Sequence, residues 1–128
     1  MKIGSVKEIK KFEYRVGLTP DNVRSYVNAG HQVYIERNAG VGSGFMTDDY
    51  IKAGATILET AREVWETAEM IVKVKEPLPD EYQYFRKGTL MVAGSHGYVA
   101  IQAGVQLIIH KKQIVLVNNK DSEYLVCY

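Results

Sequence analysis

Cysteine is nearly absent from this chain. Cys127 is the only one in 128 residues, which excludes an internal disulfide framework and fits a reducing compartment. Long apolar runs are missing too: stretches such as 70–72, 89–93 and 114–117 fall far short of the roughly 20 residues that span a bilayer. There is no excess of either charge. Sixteen lysines and arginines face fifteen aspartates and glutamates, a formal net charge of +1, so the composition carries no nucleic-acid footprint. The three histidines, His31, His96 and His110, lack ligand spacing and lie far in sequence from the cysteine except for His110, which argues against a metal site. Met1-Lys2-Ile3-Gly4 runs straight into a strand-like pattern rather than a signal peptide, and a cytoplasmic location is the expectation. No internal repeat or low-complexity segment interrupts the chain.

What is present is the composition of an ordinary globular domain. Hydrophobic residues make up 46% and charged residues 24% of the chain, enough for one buried core. Residues 2–6 read as a first strand, followed by a polar loop to Arg15. Thr19-Pro20-Asp21 is a helix start, with Thr19 as N-cap and proline at the first helical position. Val23, Tyr26 and Val27 then recur at helical spacing, so a helix is predicted over 20–29, stopped by Gly30. Residues 31–36 alternate, with Val33 and Ile35 inward. A short helix is predicted over 47–53, and Thr60-Ala61-Arg62-Glu63 is a capping box that opens another through about residue 67. Further strands are predicted at 70–74, 89–93 and 113–117, with helices over 79–85 and 104–112. A polar turn region and an apolar tail without a visible partner follow, at 118–123 and 124–128. Alternating strands and helices imply an α/β fold. The architecture expected is a three-layer, open, mostly parallel sheet flanked by helices, Rossmann or flavodoxin-like, in a single domain over 1–117.

The stretch most suggestive of chemistry is Val72-Lys73-Val74-Lys75-Glu76-Pro77-Leu78-Pro79, a buried strand that meets a lysine and is then turned by two prolines. Ligands of open α/β sheets sit beyond the carboxyl ends of strands. Arg15, Lys75 and His96 all follow predicted strands, and in a parallel sheet their loops open on one edge. Such a trio suits a 2-oxo acid or an amino acid. Arginine grips a carboxylate in a bidentate fork, lysine polarises a carbonyl, and histidine exchanges a proton near neutrality. Each also has a plainer reading. Lys75 is then a solvated charge, Arg15 a surface charge paired with Glu13 or Glu8, and His96 a polar turn residue. The glycines of 38–45 do not have dinucleotide-fingerprint spacing, and Thr47-Asp48-Asp49 just after them would repel phosphate. A loop of unusual backbone angles is the expectation there.

Met1-Lys2-Ile3-Gly4, Lys7-Glu8-Ile9-Lys10, Arg15-Val16-Gly17-Leu18-Thr19-Pro20, Ala39-Gly40-Val41-Gly42-Ser43-Gly44-Phe45, Ala53-Gly54-Ala55 and above all Val72 through Pro79 together resemble the opening of bacterial alanine dehydrogenases. The resemblance is dense from residue 1 to about residue 90. The transhydrogenase alpha subunit shares the general plan. The resemblance implies the substrate-binding and catalytic N-terminal domain of an enzyme that oxidatively deaminates L-alanine to pyruvate and ammonium with NAD. It assigns Arg15 to the substrate carboxylate, Lys75 to a substrate oxygen and to catalysis, and His96 to acid-base steps. In the family a nucleotide-binding Rossmann domain follows, so 118–128 is expected to lead toward it, and this chain alone is expected neither to bind NAD nor to turn over. Near His96 the family carries an aromatic-rich segment where this chain has Ala93-Gly94-Ser95-His96-Gly97-Tyr98. A surface without its covering domain is expected to self-associate or to meet a separate NAD-domain chain. The alternatives are a non-catalytic small-ligand or protein-interaction module, and a decayed remnant of such an enzyme.

Overall fold

The computed structural model describes residues 1–86 and 88–93 and, beyond them, the backbone of four strands between 99 and 127. The first part begins with β1 (Lys2–Ser5), α1 (Pro20–Asn28), β2 (Gln32–Glu36) and α2 (Thr47–Lys52). It continues with β3 (Thr56–Leu58), α3 (Ala61–Thr67), β4 (Met70–Lys73) and β5 (Leu90–Ala93). The five strands form one parallel sheet in the spatial order β3-β2-β1-β4-β5. Ile3 is the register point at its centre, opposite Val33 on one side and Met70 on the other.

Both faces of the sheet are covered, as a parallel sheet requires. On one face Ile3, Val33 and Ile35 pack with Leu18, Val23, Tyr50 and Ala53 beneath α1 and α2. On the other, Val6, Ile71, Met91 and Ala93 pack with Val64, Trp65 and Ala68 of α3. This is the three-layer arrangement expected. The helices begin where local chemistry says they should. Thr19 accepts from the Asn22 amide at 3.2 Å while its own amide donates to the Asn22 side chain at 3.1 Å. Thr60 and Glu63 make the same reciprocal pair at 3.3 and 2.8 Å, each satisfying amides that the first helical turn leaves open. Residues 79–84 form a 3-10 helix rather than an α-helix.

Three elements differ from the sequence expectation. β3 has no counterpart there, because three residues are too few for an alternation to show. The helix predicted over 104–112 is a strand, β7 (Val105–His110), antiparallel to β6 (Val99–Gln102) and β8 (Gln113–Asn118). Its Val105, Ile108 and Ile109 are β-branched and stiff at χ1, and its apolar residues make no narrow helical stripe, so pairing prevails over helix formation. Residues 124–127, expected to lie in an unpartnered tail, form β9 (Tyr124–Cys127) and pair with β8.

Gly17 fixes how the segment after Arg15 lies on the sheet. A Cβ there would fall on the Val72 carbonyl oxygen, 2.7 Å from its carbon and 2.8 Å from Ser5 Oγ. Only a residue without a side chain lets the backbone approach β4 so closely. Gly17→Ala is expected to lower the free energy of urea unfolding by about 3 kcal/mol, the upper range for overpacking a site that cannot expand. A loss below about 1 kcal/mol would show that the segment lifts off β4 easily.

Candidate functional site

The order of the sheet locates the site. From β1 the chain moves outward through β2 to β3, then returns to the other side of β1 with β4 and moves outward to β5. The direction reverses between β1 and β4, and the crevice at such a reversal, beyond the strands' carboxyl ends, is where open α/β sheets take ligands. The loops that leave these two ends carry Arg15 and Lys75.

Glu8 ties the two loops together. One of its carboxylate oxygens accepts from the Val74 amide at 2.6 Å and the Lys75 amide at 3.3 Å. The other accepts from the Lys73 ammonium at 3.1 Å. Lys73 also donates to Glu81 at 2.8 Å, and the side chains of Lys73, Glu8 and Glu81 are all buried, at 0%, 2% and 3% exposure. The second Glu81 oxygen takes the Leu78 amide at 2.9 Å. Two carboxylates and one ammonium are thus desolvated together, and the backbone N–H groups supply what the ammonium cannot. Further ties reinforce the join. Lys10 pairs with the buried Glu76, Ser5 Oγ donates to the Val72 carbonyl at 2.9 Å, and the Lys7 amide donates to Glu36 at 2.7 Å. Burial raises the Glu36 carboxyl above the usual carboxylate range.

Arg15 projects from this loop with its side chain 65% exposed. Glu13 grips it from one side: Nε donates to Oε1 at 2.9 Å and Nη2 to Oε2 at 2.8 Å, while the Arg15 amide donates to Oε1 at 3.0 Å. The Arg15 hydrogen bonds, aided by the Lys75 ammonium, bring the Glu13 carboxyl down from 4.5 to about 2. Arg15 and Lys75 come from the two loops that Glu8 joins. The pairing of Arg15 with Glu13 raised from sequence is present. His96 lies outside the described residues.

A hollow of about 330 Å³ stands between the loops after β1 and β2, walled by Glu8, Phe12, Tyr14 and Arg15 on one side and Asn38, Ala39 and Val41 on the other. Glu13 also lines the hollow, and Lys75 does not. The glycine-rich loop buttresses this arrangement. Asn38 and Gly44 take φ of 62° and 84°, Ser43 Oγ donates to the Tyr14 carbonyl at 2.9 Å, and a Cβ on Gly42 would come within 2.8 Å of that carbonyl oxygen. The amides of Ser43, Gly44 and Phe45 are spent on Gly40 and Val41 carbonyls within the loop. With Asp48 and Asp49 in the next helical turn, the loop does not fit a dinucleotide phosphate. Among the described residues no group of three or more histidine, cysteine or acidic side chains is arranged to hold a metal, and no helix is long and apolar enough to cross a membrane.

Sequence reasoning singled out Arg15 and Lys75 but missed Lys73, Glu81 and the structural part of Glu8. A signal existed: a lysine between two valines inside an apolar strand needs buried counter-charges.

A family model described as "Alanine dehydrogenase/PNT, N-terminal domain" matches residues 4–120. The chain belongs to this family. As an alanine dehydrogenase N-terminal domain it is 52% identical over 96 residues to the alanine dehydrogenase of Methanococcus maripaludis, covering 75% of this chain and 26% of that protein. It is 51% identical over 96 residues to that of Bacillus subtilis, covering 75% and 25%. Among solved structures it is similar to an L-alanine dehydrogenase, with a TM-score of 0.73 and 44% identity over 82% of this chain and 33% of that one. A transhydrogenase from Sinorhizobium meliloti matches with a TM-score of 0.68 and 31% identity, over 73% and 26%. The chain thus spans about a quarter to a third of the length of these relatives and is homologous to the N-terminal domain of L-alanine dehydrogenase.

Two outcomes follow from the charge network. Lys73→Met leaves two carboxylates buried without their ammonium and is expected to cost about 3–5 kcal/mol in urea unfolding at neutral pH; a cost below 1 kcal/mol would mean that water reaches the triad. The folded pKa of Glu13 lies below its ordinary 4.5. Its pairing therefore contributes stability fully above that ordinary value and loses it as pH falls through about 2. Followed by carboxyl carbon shift, Glu13 is expected to titrate near 2 in the wild type and to return toward 4.5 in Arg15→Ala.

Proposed function

We propose that this domain is the substrate-binding part of a cytoplasmic, NAD-dependent L-alanine dehydrogenase and that Arg15 and Lys75 hold the carboxylate and the carbonyl oxygen of pyruvate, or the carboxylate oxygens of L-alanine. What supports the reading is the placement of two cations on the loops that leave β1 and β4 at the sheet's reversal point, loops that Glu8 ties together. Arg15 supplies directed N–H bonds to a carboxylate. Lys75 supplies a compact positive charge to the carbonyl oxygen, where negative charge grows as a hydride arrives. His96 is assigned the proton exchange with substrate. NAD supplies the hydride acceptor in the full-length family. The glycine-rich loop at 38–45 does not fit a dinucleotide phosphate, and the nicotinamide is assigned to a nucleotide-binding domain, in the same or a separate chain. Burying the exposed Phe12 and Tyr14 (75% and 64% accessible) against such a domain or a second copy is consistent with this division of labour.

Pyruvate titration of the chain, followed by amide chemical shifts, tests the reading. The wild type is expected to show shifts at Arg15 and Lys75. Arg15→Ala and Lys75→Ala are each expected to weaken binding at least about tenfold, the value of one lost charge-assisted hydrogen bond. Absence of pyruvate binding to the wild type would remove the substrate assignment and favour a module that binds something else.

A further inference from the structure

We propose that Glu13 is a positioning residue for substrate: it holds Arg15 by the Nε–Nη2 edge of the guanidinium, so that the opposite Nη1–Nη2 edge is presented to the substrate carboxylate. The inference rests on the assignment of Arg15 to substrate and adds a residue to it. A guanidinium has two edges that can take a carboxylate in a fork. Glu13 occupies one of them, with both oxygens, at 2.9 and 2.8 Å. Among the described residues no hydrogen bond is made by Nη1.

Glu13 is built as an anchor and not as a mobile plug. Its side chain is only 7% exposed while that of Arg15 is 65% exposed. Oε1 accepts a third bond, from the Arg15 backbone amide at 3.0 Å, so the carboxylate cannot swing away without also freeing the main chain. The Glu13 amide in turn donates to the Lys10 carbonyl at 3.0 Å, and Lys10 pairs with Glu76 just after Lys75. A substrate that displaced Glu13 from the guanidinium would leave a largely covered carboxylate with the Arg15 backbone amide alone as donor, which is costly. A substrate that takes the outer edge leaves every one of these bonds in place.

Two effects of Glu13 oppose each other. Its negative charge repels an incoming carboxylate, by about threefold where water fills the space between them and by more where it does not. Its grip removes the rotamer freedom of a long, exposed side chain, worth up to about thirtyfold if substrate had to freeze it. A positioning role requires ordering to outweigh repulsion, and the Glu13→Gln titration measures that balance.

The Arg15 Nε–H resonance and the Glu13 carboxyl carbon, observed in the wild-type chain during pyruvate titration, decide between an anchor and a plug without any variant. The anchor predicts that pyruvate shifts the Arg15 Nη signals while Nε–H stays protected and the Glu13 carbon stays unmoved. Release of Nε–H and movement of the Glu13 carbon on binding would show a displaced competitor and overturn the proposal. Glu13→Gln, which keeps the size and removes the second acceptor oxygen, is expected to weaken pyruvate binding about tenfold with amide dispersion retained, and Glu13→Asp to recover part of it. Unchanged or tighter binding in Glu13→Gln, with Arg15→Ala and Lys75→Ala still impaired, would sink the positioning role alone. Failure of the wild type to bind pyruvate would sink the substrate assignment and this role with it.

Discussion

The Glu8 carboxylate is the point through which the loop after β1 and the end of β4 become one structure. It accepts two consecutive β4-end amides and a buried ammonium, and no apolar side chain of the same volume could do so. The desolvation of Lys73, Glu8 and Glu81 offsets much of their mutual attraction. The triad therefore contributes less to net stability than its short distances suggest. Its effect is geometric: an apolar substitute would pack, but it would not specify which amide of β4 faces which residue of the loop.

The same join sets the electrostatics of the site. Three cations near the crevice have carboxylates beside them: Lys73 has Glu8 and Glu81, Lys10 has Glu76, and Arg15 has Glu13. The paired charges lie mostly inward, while the arginine side chain faces solvent. These three cations and four carboxylates sum to −1, the Lys75 ammonium brings the cluster to neutral, and the guanidinium is its exposed positive tip. Such a surface attracts a small anion at short range and exerts little long-range pull on polyanions, which agrees with a chain whose formal charge is +1.

Features set by a few neighbouring residues were legible before any coordinates. The Thr19-Pro20 and Thr60–Glu63 starts depend on contacts three residues apart, and Arg15 finds its partner two residues away. Features set across the chain were not. Lys73 reaches Glu8 over 65 positions of sequence, and nothing local distinguishes a glutamate that is pulled inside from one left in water. The reversal between β1 and β4 is a property of strand order, set by β2 and β4 pairing with opposite sides of β1, which no local pattern carries. In β7 an apolar run rich in β-branched residues fits either period when read alone, and pairing with β6 and β8 settles it. His96 follows β5 in sequence, outside the described residues.

The choice of cation at each position follows from how each is held. Arg15 is gripped through its side chain, and only a planar group with two usable edges can be anchored on one and still bind a carboxylate with the other; a lysine gripped by Glu13 would have its single charge centre already engaged. Lys75 is held through its backbone amide by Glu8, which fixes where the side chain starts and leaves its four-carbon stem to follow an oxygen. In the proposed chemistry the carboxylate does not move while the carbonyl carbon changes between planar and tetrahedral. A fixed fork for the first and a point charge on a flexible stem for the second match those two demands, and exchanging the two residues would match neither.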